Sequence, residues 1–428
     1  MANISKYSAL AAAVALAVQA AADDLSLKTD GGLLPSSWEW NDASAWEPEG
    51  GSLENANLSI GGVAESAVNS TITGGMTLGN IDITVGDNGN SSNIFKASAE
   101  DADVNFKTIN ISNGGTTQSV TLYSSSGKWI GESINIISDG AHRQTVKLAP
   151  KSPRLTLSGG INLVNNKATD GLTIEGQTDI AGAITMKAAG SSEGARLTLN
   201  MWNMSIGGFS DGDVKANHYI SFNWGGTVSL TNSSDYSWRG GFGIYSGNDD
   251  ISISKGGAGA QKFEVTSITN HFNNIYANEG LLEINASAIS SSFANKLILN
   301  GGTFKNVGDI SFGAIDFKQG SIMLGNDSGT IIVAGDAVKG SEKISLDFAE
   351  LTQSGEYTLL EIAGALSGFD TGDALVDFNL INLVEGANAE LAWNGNSLVL
   401  SYTVPEPSIA AAALGAIALG FAALRRRK

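Results

Sequence analysis

Ile81-Asp82-Ile83-Thr84-Val85 alternates branched apolar side chains with small polar ones without a break. A period of two sends alternate side chains to opposite faces of a strand, one face dry and the other wet. The same pattern returns at Ile134-Asn135-Ile136, Leu155-Thr156-Leu157, Leu197-Thr198-Leu199 and Ile251-Ser252-Ile253. Between such stretches lie Gly86-Asp87-Asn88-Gly89-Asn90 and Gly207-Gly208. These are turn material, because Gly, Asn and Asp tolerate positive φ. From Asp23 to Thr403 no helical period interrupts the strands, so the fold class is all-β.

Composition narrows the architecture. The 428 residues include 53 glycines but only six prolines, and 42% are hydrophobic, enough for an ordered core. Short strands joined by many tight turns over nearly the whole chain point to an elongated β-solenoid, each coil stacking on the last. Tandem β-sandwiches are the alternative, since regular short strands serve both. Leu155-Thr156-Leu157-Ser158-Gly159-Gly160 and Leu297-Ile298-Leu299-Asn300-Gly301-Gly302 look alike, but the spacing of such units is loose and sets no coil length.

The ends of the body differ from its middle. Trp38, Trp40 and Trp46 place three of eight tryptophans within nine residues. Large aromatics there would cap the open end of a solenoid, which is the favoured reading, or form a sugar-stacking surface. Near the other end, Gly355-Glu356-Tyr357-Thr358-Leu359-Leu360-Glu361-Ile362 reads as a strand. Leu391-Ala392-Trp393 and Ser397 to Tyr402 flank Asn394-Gly395-Asn396, a hairpin turn that would close the last coil.

Charge and residue types exclude several chemistries. Net charge is −18, and without Lys6, Glu406 and the four terminal cations the body carries 20 basic against 42 acidic residues. Such a body repels phosphate backbones, which argues against a nucleic-acid partner. Absence of cysteine removes disulfides and thiol catalysis. His142, His218 and His271 lie far apart, without metal-ligand spacing. Asp101, Asp103, Asp211, Asp213, Asp249 and Asp250 read as solvated loop acids rather than a glycosidase pair. Asp87-Asn88-Gly89-Asn90 and Asn248-Asp249-Asp250 offer oxygens for weak Ca²⁺ binding but complete no known calcium loop. No cofactor and no catalytic residue is expected, and the chain is not read as an enzyme.

One cluster stands out in the middle. Trp202, Tyr219, Trp224, Tyr236, Trp238 and Tyr245 fall within 44 residues. Of these, Trp202, Trp224, Tyr236 and Trp238 are the candidates for stacking on sugar rings, with neighbouring Asn and Asp side chains to hydrogen-bond them. Packing in the core is the competing and favoured reading, because Trp is mostly buried.

The termini carry addresses. Met1 to Ala22 has Lys6, an apolar run from Ala9 to Val18 and small residues at Ala20 and Ala22 before Asp23, the pattern of a secretory signal peptide. At the C-terminus, Pro405-Glu406-Pro407 precedes a 16-residue apolar run bearing Ile409, Leu414, Ile417, Leu419, Phe421 and Leu424, then Arg425-Arg426-Arg427-Lys428. As a helix the run reaches roughly 24 Å, short of a hydrocarbon core near 30 Å, which suits transient anchoring with the cations held in the cytoplasm.

Two resemblances follow from these motifs. The Trp38 to Trp46 segment after a leader, with Gly355 to Leu360 and Asn396-Ser397-Leu398-Val399-Leu400 before the tail, resembles autotransporter-type passenger domains, which implies a secreted right-handed β-helix. Nothing resembles the membrane β-barrel of a true autotransporter, so self-export is not implied. The last 24 residues resemble the PEP-CTERM sorting signal in order, spacing and position. That resemblance implies processing by an exosortase, a membrane cysteine protease, in Gram-negative bacteria that make exopolysaccharide.

The expected organisation is a signal peptide over 1–22, a solenoid body over 23–403 and a sorting signal with a transmembrane helix over 404–428. The expected role is an exported structural or adhesive protein of the cell surface or extracellular matrix, passing transiently through the inner membrane and associated with exopolysaccharide. Its partners would be signal peptidase and the exosortase. The alternative is a carbohydrate-binding or carbohydrate-active protein using residues 202–245.

Overall fold

The computed structural model describes residues 23–405, except 31, 50, 65–67, 88–94, 100–102, 114–116, 125–126, 139–142, 151–154, 166–170, 189–192, 213–216, 246–250 and 290. It is all-β, 69% strand and 2% helix, and forms a β-solenoid of about 10 turns. The parallel pairing that links coil to coil rules out tandem sandwiches, whose sheets are antiparallel. Among the described residues no helix is long and apolar enough to cross a membrane. The expected signal peptide, the membrane run and all of the sorting motif but Pro405 lie outside the described residues.

Strands Asn80–Asp87, Thr108–Asn113, Ser133–Ser138 and Ile161–Asn165 show how coils stack. They pair in parallel so that Ile81, Ile109, Ile134 and Ile161 stand in one row. The row extends through Leu25 and Leu58 on one side and Ile184 and Phe209 on the other. All eight are buried. The branched residues of the alternating stretches are therefore the core, each touching its counterpart one coil away. From Ile81 to Phe209 the steps are 28, 25, 27, 23 and 25 residues. The strands keep register while the corners vary in length, which is why no period shows in the sequence.

The outward positions form ladders of their own. The Asn162 Nδ2 donates to Asn135 Oδ1 at 2.8 Å, Asn135 to Asn110 at 2.8 Å, and Asn110 to the Asp82 carboxylate at 2.6 Å. On another face Asn223 donates to Asn200 at 2.8 Å and Asn200 to Glu175 Oε1 at 2.9 Å. Both runs end on a carboxylate at the N-terminal side. A carboxylate only accepts, so it can terminate the row and meet the positive ends of the aligned amide dipoles.

Past Phe209 the core turns aromatic. Phe222, Phe242, Phe272 and Phe293 follow one another with centroids 5.7, 5.4 and 5.5 Å apart, the middle pair edge to face and the outer two tilted. Gln261, fully buried beside this stack, reaches back 52 residues to Phe209. Its Oε1 accepts from the Phe209 N–H at 2.9 Å and its Nε2 donates to the Phe209 carbonyl at 3.0 Å. The side-chain amide thus makes the two bonds a neighbouring strand would make.

Both ends are closed by antiparallel strands. Asp24–Leu27 pairs antiparallel with Trp46–Glu47 on one edge and parallel with Asn57–Ala64 on the other. Trp40 and Trp46 are buried, their centroids 6.2 Å apart, with Trp40 Nε1 donating to Ser70 Oγ and Trp46 Nε1 to the Trp40 carbonyl. This is a cap, as expected, and leaves those two rings no face for a sugar. At the far end Asn388–Asn394 and Ser397–Thr403 form the expected hairpin, with Gly395 at φ 61°, and the second strand covers Gly355–Ile362 antiparallel. Capping of this kind covers the edges of Asn57–Ala64 at the start and Gly355–Ile362 at the finish, where an open strand could template another chain.

Replacing Gln261 with Ala strands both Phe209 backbone groups in the core. At about 1–3 kcal/mol per orphaned group, unfolding in urea should shift by about 2–6 kcal/mol, whereas removal of an exposed side chain such as Lys318 should change it little.

Candidate functional site

The four sugar-stacking candidates lie on or beside strands Glu193–Asp211, Asn217–Leu230 and Tyr236–Ile244, and the fold separates them. Trp238 is 1% exposed and stacks on Phe242 at 4.6 Å and 17°. It belongs to the core and has no free face to offer. Tyr236 is half-buried, with its ring against Gly208. Trp202 lies on the first of these strands, but its side chain falls outside the described residues. Trp224 is 54% exposed and holds φ at +66°. A bulky side chain in that region costs of order 1–3 kcal/mol.

What sequence reading missed is a pair of outward glycines. In strand Tyr236–Ile244, Trp238, Phe242 and Ile244 point inward, so Gly241 and Gly243 face out, yet both are buried. Tyrosine rings cover them. A Cβ on Gly241 would collide with the Ser267 hydroxyl and lie 2.9 Å from Tyr219 Cδ2, and one on Gly243 would collide with the Tyr219 hydroxyl and the Tyr245 ring. The two phenol oxygens meet above them at 2.9 Å. Glycine inside a strand marks a close approach, and that signal was legible.

The neighbours of these rings follow from register. Arg196 stands opposite Tyr219 one coil back, its guanidinium carbon 5.6 Å from the ring centroid. Ser221 and Asn223 follow Tyr219 on the same outward row, and Trp224 comes next. Tyr245, 55% exposed, donates its N–H to the Phe222 carbonyl and so lies beside Asn223. The result is a pair of tyrosine rings over the two glycines, with Ser221 and Asn223 on the same strand and the exposed Trp224 next along it.

A second feature is a groove of about 280 Å³ lined by Asp211, Arg239, Lys262, Glu264, Glu283 and Asp327, with Trp238 in its floor. Its charges engage each other across coils: Arg239 with Glu264 at 3.2 Å and Lys262 with Glu283 at 3.2 Å. Lys305 reaches Glu350 at 2.6 Å, Asp327 at 3.4 Å and Glu283 at 3.7 Å. Burial pushes the Lys305 ammonium pKa down, but the bond to Glu350 and the nearby carboxylates outweigh it and raise it overall. Such pairing makes struts between coils. His218 is fully buried, its Nδ1 accepting from the Ala195 N–H at 3.0 Å and its Nε2 3.2 Å from Asp211. Asp103 accepts from the Lys128 N–H at 3.0 Å, a turn role. Asp101, Asp213, Asp249, Asp250, His142 and most of the weak calcium candidates lie outside the described residues, among which no cluster of metal-ligating side chains occurs.

No protein-family model, no curated protein and no solved structure significantly matches the chain.

The phenol pair gives a titration test. Hydrogen bonding to Tyr219, then burial and the Tyr219 charge, raise the Tyr245 pKa. The folded state holds that proton more tightly than the unfolded chain. Its stabilisation is therefore complete below about pH 10 and is lost as pH rises through the folded value. Tyr219→Phe should lower the Tyr245 titration midpoint, read as phenolate absorbance, and make the alkaline fall in Tm shallower.

Proposed function

We propose that the protein is an exported β-solenoid with a structural or adhesive role at the cell surface or in the extracellular matrix, delivered by its terminal sorting signal and associated with exopolysaccharide. The observation that carries this reading is the stack of coils joined by parallel pairing, capped by antiparallel strands and dressed outside, among the described residues, with ladders of Asn side chains. A capped rod of about 10 coils at roughly 4.8 Å per coil is a spacer and a display surface. Pairing of the groove's charges with one another supports a non-catalytic role. A right-handed coil is part of the same proposal, because parallel crossovers are right-handed in nearly all cases.

In this reading the apolar run from Ile409 to Leu424 holds the exported chain in the inner membrane, with Arg425 to Lys428 inside. The Pro405-Glu406-Pro407 tripeptide stays extended, because proline resists helix, and presents itself to an exosortase-type protease. Pro405 lies close to Gly386 at the C-terminal cap, so the tripeptide begins where the rod ends.

Replacing Pro405, Glu406 and Pro407 together by Ala should leave the apolar tail on the mature protein and hold it in the membrane fraction. Intact-mass spectrometry of material from the native host reads this directly. An unchanged mature mass would count against sorting through the tripeptide.

A further inference from the structure

We propose that the face built by Tyr219, Trp224 and Tyr245 is a binding site for a neutral polysaccharide chain. The inference deepens the exopolysaccharide part of the preceding reading and rests on it only for the class of partner. Sorting by the tail could fail while this site stands, and the reverse.

Three independent features of the face converge. The first is exposure: Trp224 and Tyr245 are 54% and 55% exposed, while the other large aromatics of this region that the structure describes are buried or half-buried. The second is cost: Trp224 is held at a φ of +66°, where an aromatic side chain is strained. Such strain persists where it serves a purpose, since Asn or Gly would sit there freely. The third is preparation: Gly241 and Gly243 carry no side chains on an outward face, and the two tyrosine rings, with Ser267 beside Gly241, fill the space while the rings fix each other through their hydroxyls. Rings pinned in this way lose little freedom when a ligand arrives.

The chemistry selects the partner. A pyranose offers a face of weakly positive C–H bonds to the negative face of an aromatic ring, and hydroxyls at its edge. Around the rings stand Thr198, Ser221 and Asn223, uncharged donors and acceptors on the same outward rows. The rings are spaced by polar groups and do not form a continuous apolar patch, which disfavours a lipid surface or a protein core contact. The strongly acidic body repels a polyanion, and the nearest cation, Arg196, is engaged over the Tyr219 ring. A parallel sheet face is flat and long, so the ligand is a chain running over it rather than a single enclosed sugar.

The test is affinity electrophoresis of the purified full-length chain in native gels containing hydroxyethyl cellulose, dextran, galactomannan or alginate. Retardation is expected in at least one of the three neutral gels, weakened about tenfold or more, roughly 1.4 kcal/mol, by Tyr245→Ala and by Trp224→Asn. Trp224→Asn separates binding from folding: it removes the ring and relieves the positive φ, so Tm should stay level or rise while binding is lost. Tyr219→Phe keeps the ring but frees both rings from the hydroxyl bond, so binding should weaken, and by less than in either ring variant. No retardation in any neutral gel, retardation only by alginate, or retardation unchanged in both ring variants would each overturn the proposal.

Discussion

Parallel backbone pairing between successive coils is the constraint on which everything else rests. Each coil hydrogen-bonds to the next in register, so a residue's principal neighbour is its counterpart about two dozen positions away. A slip of one residue would turn the isoleucine row outward and the asparagine row inward. Both rows hold the register together. The isoleucines do so through burial, and the asparagines because an amide can donate to one neighbour while accepting from the other. The ladder also polarises the rod, with a carboxylate at the N-terminal side of each amide run described above.

Stacking of this kind creates two open ends, and the chain answers each differently. At the start it folds a short antiparallel strand over the first coil and packs Trp40 and Trp46 beneath it. At the finish it uses a hairpin turned on Gly395. In the interior, Gln261 supplies from its side chain the two bonds that Phe209 would otherwise lack. These devices satisfy the same requirement, that buried backbone donors and acceptors find partners.

Where strands pair across coils, the outer surface becomes a place to display chemistry rather than to enclose it. Charges in the groove beside Trp238 are engaged with one another, whereas the rings of Trp224 and Tyr245 face water. The distinction lies in satisfaction. A paired charge is already spent on the rod, and an exposed ring on a rigid sheet keeps its contact area for something else.

Much of this was legible from local pattern. Alternation at Ile81 to Val85 named the core side chains, the Trp38 to Trp46 cluster named the cap, and Asn394-Gly395-Asn396 named the closing hairpin, because each depends on neighbours a few residues apart. The aromatic cluster was visible as a cluster only. Trp238 and Trp224 read alike in the chain, yet one stacks in the core and the other stands in solvent at a positive φ. By itself, then, the sequence determined strand character, which side chains point inward, and the polar dress of the outer face, since these follow from a period of two. Only the tertiary structure decided which outward residues meet: Asn135 with Asn110, Tyr219 with Tyr245 above Gly243, Lys305 with Glu350. Corner lengths vary while the backbone ladder holds register, so neighbours across coils are chosen by hydrogen bonding rather than by any fixed spacing in the chain.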